Sequence, residues 1–290
     1  MPSASVSLQR RSGRRQWLIS LPQIVFVYLL LAGLVVLMLG PYLFIFGTAF
    51  KESYSLVKIP PEIIPKEPTL INFRKIFTNM PFGRWFLNST IVATVSTVGT
   101  LLVCAMAGYT FAKKEFFGKR VLFAALLATL MIPGALMLIP TFLVVNALGL
   151  VDSYGGLILP GIGGAMGVFL LRQFIETLPS ELEQAALIDG ASELQVFWHV
   201  ILPLSKPGLT TLAILHFTGS WNSLIWPLVV VNSKKLYTLP LGLALMRTEY
   251  QVDYGATSAA AIVSVVPLVI AFVFLQRYFI EGLTVGALKG

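Results

Sequence analysis

Six stretches of this chain carry no Asp, Glu, Lys or Arg: residues 16–50, 85–112, 121–151, 153–171, 207–233 and 254–276, of 35, 28, 31, 19, 27 and 23 residues. A helix that crosses a bilayer needs about 20 predominantly apolar residues, so each stretch has room for one span and none comfortably holds two. Their apolar residues are continuous rather than alternating, whereas a barrel strand would need only about 10 residues with a two-residue period. Charged residues make up 12% of the chain, against roughly 25% in an ordinary soluble domain, which excludes a soluble globular protein. The expected fold class is an all-α integral membrane protein with six transmembrane helices, near residues 24–46, 88–111, 121–145, 155–172, 208–231 and 256–277. A basic tail, 1–17, precedes a single transmembrane domain, 18–290.

The 21 Lys and Arg outnumber the 13 Asp and Glu. A mean hydropathy of +0.82 leaves too little polar surface for a nucleic-acid groove, so the positive excess is read as the signal that sorts loops across a bilayer. Arg10, Arg11, Arg14 and Arg15 precede the first span. The apolar core of that span is longer than the roughly 7–15 residues of a signal-peptide core, and no clear small-residue cleavage site follows, so an uncleaved span is expected. With the N-terminus inside, twelve basic residues fall on the inner side and nine on the outer. Six of those nine lie in the long segment 47–88, and the tight hairpin with Lys113, Lys114, Lys119 and Arg120 gives the cleaner vote. Both termini are expected in the cytoplasm. The outer segment holds Pro60, Pro61, Pro65 and Pro68, which favour an extended path, followed by Leu70, Phe73, Ile76 and Phe77 at the spacing of a short amphipathic helix on the membrane surface. The lone Cys104 forms no internal disulfide, and two histidines make no metal cluster.

The cytoplasmic segment between spans four and five, 173–206, is too patterned for a plain connection. Ser180 and Glu183 after Pro179 have the spacing of a capping box, and predict a short helix to about Asp189, where Gly190 breaks it. Ser192 with Gln195 repeats the spacing, and Leu194, Phe197, Trp198 and Ile201 then fall on one helical face until Pro203 and Pro207 end the helix. Counted from Arg172 to Lys206, five acidic residues against two basic ones give this helix, glycine, helix element the character of a docking surface, since an element lying on the membrane is favoured by basic faces.

The string from Glu181 through Glu183, Gln184, Ala185, Ala186, Asp189, Gly190 and Ala191 to Ser192, with Phe197, Leu202, Pro203, Leu204 and Pro207 after it, resembles the cytoplasmic "EAA" coupling loop of binding-protein-dependent ABC importer permeases. The stretches 84–89, 220–227 and 276–290 resemble the carbohydrate branch of that family, the last of them its smaller, maltose-importer-type subunit. One departure is visible: Gln184 stands where a glutamate commonly precedes the paired alanines, which removes a charge from the expected docking contact. The resemblance implies a type I importer fold in the bacterial or archaeal cytoplasmic membrane, with Glu183, Gln184, Ala185, Ala186, Asp189, Gly190, Ala191, Phe197 and Pro203 forming the coupling loop. It implies as partners a second homologous permease, two ATP-binding cassette subunits and an extracytoplasmic solute-binding protein. The chain itself carries no cofactor, because no P-loop motif occurs in it, and ATP and Mg belong to the ATPase.

Within span five, His216, Gly219, Ser220, Ser223 and Pro227 fall on one helical face, and Thr211, Thr218 and Asn222 on another. Polar side chains inside a bilayer face a bundle interior or a water-filled path, or supply helix-to-helix hydrogen bonds; His216, Ser220, Asn222 and Ser223 are the candidates for the translocation path. Gly161, Gly163, Gly164 and Gly167 in span four suit close helix packing. The competing reading is a stand-alone secondary transporter, which usually needs ionisable groups near the midplane, and the six charge-free stretches oppose it. An intramembrane enzyme would need a nucleophile with a base, or metal ligands, in the spans. The resemblance implies a sugar, oligosaccharide or related polar solute as cargo.

The expected topology is checked by single cysteines at Ser192 and Glu67 in a variant lacking Cys104. A membrane-impermeant thiol reagent should reach Ser192→Cys from the cytoplasmic side and Glu67→Cys from the opposite side; labelling of both from one side contradicts it.

Overall fold

The computed structural model describes residues 21–52, 64–249 and 253–287. The basic tail 1–17 and Pro60 and Pro61 lie outside the described residues. Packing divides the chain between Ile45 and Phe46. The first part is carried by α1 (Leu21–Ala49), 29 residues with Pro41 inside, whose residues up to 45 expose apolar side chains on every side.

Everything in the second part is arranged around α3 (Phe82–Lys113), which follows the short α2 (Ile71–Thr78). α3 is 32 residues long with no internal proline, so at 1.5 Å per residue it runs about 48 Å. Its buried positions join three successive apolar clusters. Phe82, Trp85 and Ala93 pack with Ile76, Trp221 and Leu239; Val92 packs with Leu157 and Val230; Cys104, Ala105 and Tyr109 pack with Leu171, Phe197 and Leu212.

Small residues let the neighbouring helices approach. α7 (Ala165–Glu176) and α11 (Lys206–Trp221) both lie against α3. A Cβ on Gly167 of α7 would stand 2.7 Å from the Cys104 sulfur, and one on Gly108 of α3 3.0 Å from Leu171 Cβ. The four span-four glycines divide their roles. Gly167 makes the close contact expected of all four, whereas Gly161 and Gly164 have open space where a Cβ would go, and Gly163 and Gly164 take φ of +89° and +132°. Those three form a break in the helix, which the spacing alone does not distinguish from a packing face.

Three of the expected spans are not single helices. Among the described residues, three helices are long and apolar enough to cross a membrane, Pro22–Ala49, Phe82–Lys113 and Tyr254–Phe274, and three bent pairs raise the number of candidate spans to as many as six. Span three is α4 (Lys119–Ala128) with its terminal 3-10 turn, then a 3-10 turn (Gly134–Met137) leading into α5 (Leu138–Ala147), the two halves bent by 98° at Ile132 and Pro133. Pro133 has no N–H for the ladder, which places the bend. Span four is α6 (Tyr154–Ile158) with a following 3-10 turn, then α7, bent by 46° at the glycines. Span five runs not as one helix over 208–231 but as α11, ending at Trp221, and α12 (Ile225–Val230). α8 (Ser180–Ile188) lies between α7 and an arm made of α9 (Glu193–Val196), a π-helical turn (Phe197–Ile201) and α10 (Leu202–Leu204). That arm meets α11 at Ser205 with a 75° bend. Pro207 therefore opens α11, where its missing N–H costs nothing, rather than ending the arm. α13 (Leu239–Glu249) and α14 (Tyr254–Ala287) complete the described fold.

The amphipathic α2 turns inward. Asn72 and Ile76 are buried, while Leu70 and Phe77 of the expected apolar stripe are exposed. Asn72 Nδ2 donates to the carbonyls of Ala49 and Lys51 at 3.0 and 2.6 Å. Buried Asn88 of α3 plays the same part farther along, donating to Lys235 and Tyr237 carbonyls and accepting from the Tyr154 hydroxyl at 2.6 Å.

A bulky residue at the α3–α7 contact tests this packing. Gly167→Val should lower the thermal unfolding midpoint in detergent by several degrees, an overpacking cost of about 1–3 kcal/mol. Adding Cys104→Ala should restore part of the loss, because it removes the sulfur that the new side chain strikes.

Candidate functional site

The breaks in the bent spans converge on one place. An open cavity of about 440 Å³ is bordered by Gly134 and Thr141 after the first break, Pro160 and Gly161 at the second, and Ser223 and Trp226 beyond the end of α11. α3 supplies Ser89 and Ser96, and α11 supplies His216, Gly219 and Ser220. The five residues that helical spacing places on one face of span five, His216, Gly219, Ser220, Ser223 and Pro227, all line it. Asn222 does not: it ends α11, exposed, with its amide donating to the Thr218 carbonyl at 3.0 Å.

The polar groups bordering the cavity are tied to one another. Ser96 and Ser220 hydroxyls are 3.2 Å apart. Thr100 stands 3.2 Å from His216 Nε2, accepts from the Gly163 N–H at 3.1 Å and donates to the Gly161 carbonyl at 3.2 Å. A hydroxyl has one proton and two acceptor sites. With its proton on Gly161, Thr100 accepts from both Gly163 and His216, so His216 carries its proton on Nε2. Thr100 thereby satisfies backbone groups that the break in span four frees, as irregular backbone at membrane depth requires. Ser96 and Thr100 were not legible as site residues, because hydroxyls are common in membrane helices and only the fold brings them to His216.

The loop between α7 and α11 presents a second candidate surface. α8 ends in a Schellman closure: Ala191 N–H bonds the Ala186 carbonyl, Gly190 N–H bonds that of Leu187, and Gly190 takes φ +87°. A Cβ at Gly190 would meet nothing within 4 Å, so glycine is required by conformation and not by space. Asp189 is the exposed C-cap residue. Ser192 and Gln195 form a complete capping box. The first expected box is absent: the N-cap of α8 is Pro179, with no side-chain cap, and Glu183 is turned away from it.

Glu183 is 7% exposed and points at the end of α3. It accepts from the Tyr109 hydroxyl at 2.9 Å and pairs with Lys114. Glu193, on the other side of Gly190, pairs with the same Lys114 and lies 3.2 Å from the same hydroxyl. Burial pushes the Lys114 ammonium down, but its hydrogen bonds to the two carboxylates outweigh this and hold it above the usual lysine range. The Lys114 hydrogen bond holds Glu193 below the usual carboxylate range. Both acids are thus tied to Lys114, Glu183 buried and Glu193 still exposed, and Glu176 pairs with Arg172. The exposed side of α8 carries Glu181, Gln184, Ala185 and Ile188, the last 86% exposed, with exposed Asp189 at the C-cap, so two of the five acids remain on the outer face. Ala186 and Ala191 pack partly into the cluster around Phe197, which is 3% exposed and 5.7 Å from the Tyr109 ring. Leu194 and Trp198 remain exposed, because the π-helical turn shifts the buried face to Val196, Phe197 and Ile201. Pro203 is exposed within α10.

Residues 104–285 match the family model described as the inner membrane component of binding-protein-dependent transport systems. The chain belongs to this family. It is 41% identical over 253 residues to the arabinooligosaccharides transport system permease protein AraQ of Halalkalibacterium halodurans, covering 86% of this chain and 91% of that one. It is 37% identical to the trehalose transport system permease protein SugB of Mycobacterium tuberculosis, over 86% and 92% of the two chains. A crystal structure of a bacterial ABC transporter for the acidic polysaccharide alginate superposes with a TM-score of 0.82 at 24% identity, over 90% of this chain and 98% of that one, which shows a shared permease fold. The protein is therefore an inner-membrane ABC importer permease, a transporter subunit and not an enzyme.

Adjacent substitutions in this permease should separate the buried acid from the exposed amide. Glu183→Ala leaves the Tyr109 hydroxyl without its nearer acceptor and removes one of the two acids on Lys114, and should cost about 2–4 kcal/mol, read as a lowered unfolding midpoint in detergent. Gln184→Ala should stay within about 0.5 kcal/mol of the parent.

Proposed function

We propose that this permease forms half of the translocation path for a neutral sugar or oligosaccharide. The observation that carries this reading is the chemistry of the cavity: serine and threonine hydroxyls, one imidazole, glycines and an indole beside aliphatic side chains such as Leu157 and Leu215, with no Asp, Glu, Lys or Arg among the described residues that line it. Moving an ion through such a low-dielectric wall without a compensating charge is costly, whereas hydroxyl-bearing solutes exchange hydrogen bonds with hydroxyl-bearing walls. Names of relatives support a sugar or related polar solute, since they include transporters of arabinooligosaccharides, galactooligosaccharides and trehalose, beside those of the anionic sulfoquinovosyl glycerol and sn-glycerol-3-phosphate. The second half of the path comes from a homologous permease, and delivery from an extracytoplasmic solute-binding protein; a related alginate importer has been crystallised with its periplasmic protein. A stand-alone secondary transporter is disfavoured by the lack of an Asp, Glu, Lys or Arg side chain among the described residues that line it.

Energy enters through the loop 180–203. Its exposed α8 face docks on one of two separate ATPase subunits, which bind ATP and Mg, with both termini of the permease on the same cytoplasmic side. Gly190 holds the angle between the two helical arms. Gly190→Val places a β-branched residue at φ +87°, a conformation costing roughly 1–2 kcal/mol, without any steric contact. The assembled importer carrying it should lose most solute uptake and part of its ATPase association while the permease still inserts. Uptake by the parent importer, reconstituted in liposomes, should favour neutral oligosaccharides over uronic acid oligomers of equal length. Uptake confined to the acidic oligomers would overturn the proposed cargo, and wild-type uptake by Gly190→Val the proposed coupling role.

A further inference from the structure

Chain connectivity links the loop 180–203 to α7 on one side and α11 on the other. The side chains add a third attachment, to α3. Lys113 Nζ donates to the Leu178 carbonyl at 2.6 Å and to the Ser180 hydroxyl at 3.1 Å. Lys114 pairs with Glu183 on α8 and with Glu193 on α9, and its ammonium lies 4.9 Å from the centre of the Tyr109 ring. The single hydroxyl proton of Tyr109 goes to the nearer Glu183. Lys114 has three protons and so serves both carboxylates. One cation at the C-cap of α3 therefore holds both arms that flank Gly190.

α3 is also the helix that borders the cavity. Ser96 meets Ser220, and Thr100 holds His216 and the broken backbone at Gly161 and Gly163. From Ser96 to Lys113, the residue before the C-cap Lys114, is 17 residues, about 26 Å of uninterrupted helix. We propose that Tyr109 and Lys114 are positioning residues that lock the two arms of the coupling loop to each other and to α3, so that displacement of the loop moves the cavity wall as a rigid rod. This rests on the reading of the loop 180–203 as the ATPase dock, and it assigns transmission to a helix that the loop does not adjoin in sequence. A charge-paired contact suits the task. Both carboxylates need the same ammonium, so neither arm moves independently of α3 while the pair is formed, and breaking either pair leaves a charge without its partner.

The test uses the complete importer with Tyr109→Phe, Lys114→Met, the double variant, and Lys114→Arg. Tyr109→Phe keeps the ring against Phe197, and Lys114→Arg keeps the charge. In the double variant, solute uptake per ATP hydrolysed should fall at least tenfold while the ATPase subunits still co-purify and hydrolyse ATP; Lys114→Arg should recover most of the uptake. In the permease alone, spin labels at Gln184 and Val98, both exposed, should give a narrow distance distribution that broadens in the double variant. A narrow distribution in the double variant overturns the lock, as does uptake at the parent ratio. Loss of assembly in every variant, Lys114→Arg included, assigns these residues to folding alone and also overturns it. If the parent permease recruits no ATPase, the docking reading fails by itself, and the label distances still decide whether the lock exists.

Discussion

The need to satisfy every backbone amide and carbonyl at membrane depth governs this structure. An unbroken helix meets that need by itself, and α3 is such a helix over 32 residues. The bent spans leave backbone groups open wherever they break, and non-helical backbone is tolerated only where protein or a water-filled space receives it. At Gly161 and Gly163 the receiver is Thr100 of α3. At Pro133 the ladder loses a donor in any case. The breaks in spans three and four and the end of α11 then face one cavity, so the cavity is the compensation for irregular backbone as well as the feature that makes it useful.

The same straight helix explains why the loop 180–203 has a defined shape. The Schellman closure at Gly190 and the capping box at Ser192 fix each arm locally, but local closure does not fix where the element sits. Glu183 and Glu193 do that by sharing Lys114. Gln184, the position that departs from the pattern this chain otherwise resembles, is exposed and takes no part in that contact. The permease thus keeps the acid that holds its own fold and lacks a charge only on the side turned outward.

What was legible in the sequence follows from which interactions are local. Uncharged runs, the glycine break and the Ser192 box are set within a few residues, and they marked the helical membrane fold, the helix, glycine, helix geometry of the loop 180–203 and the face of α11 that carries His216 and Ser220. The partner of Glu183 was not legible, because Ser180 at the right spacing offered an equally good local explanation, and the actual partner lies 69 residues away in sequence. Proline and glycine positions were visible, yet whether Pro133 kinks a span or Gly163 packs against a neighbour depends on what stands opposite. The π-helical turn at Phe197–Ile201 has no periodicity signal of its own and moved the buried face away from Leu194 and Trp198.

If the convergence of helix breaks builds a wet translocation path, Ser220 faces solute and water and not a dry contact. The most direct measurement is the reaction of Ser220→Cys with a small, charged, water-soluble thiol reagent in the assembled, membrane-embedded importer lacking Cys104. The account predicts measurable labelling that slows when transported solute is present in excess. A thiol that resists this reagent in both the ATP-bound and ATP-free importer, yet reacts with a lipid-soluble one, would contradict it.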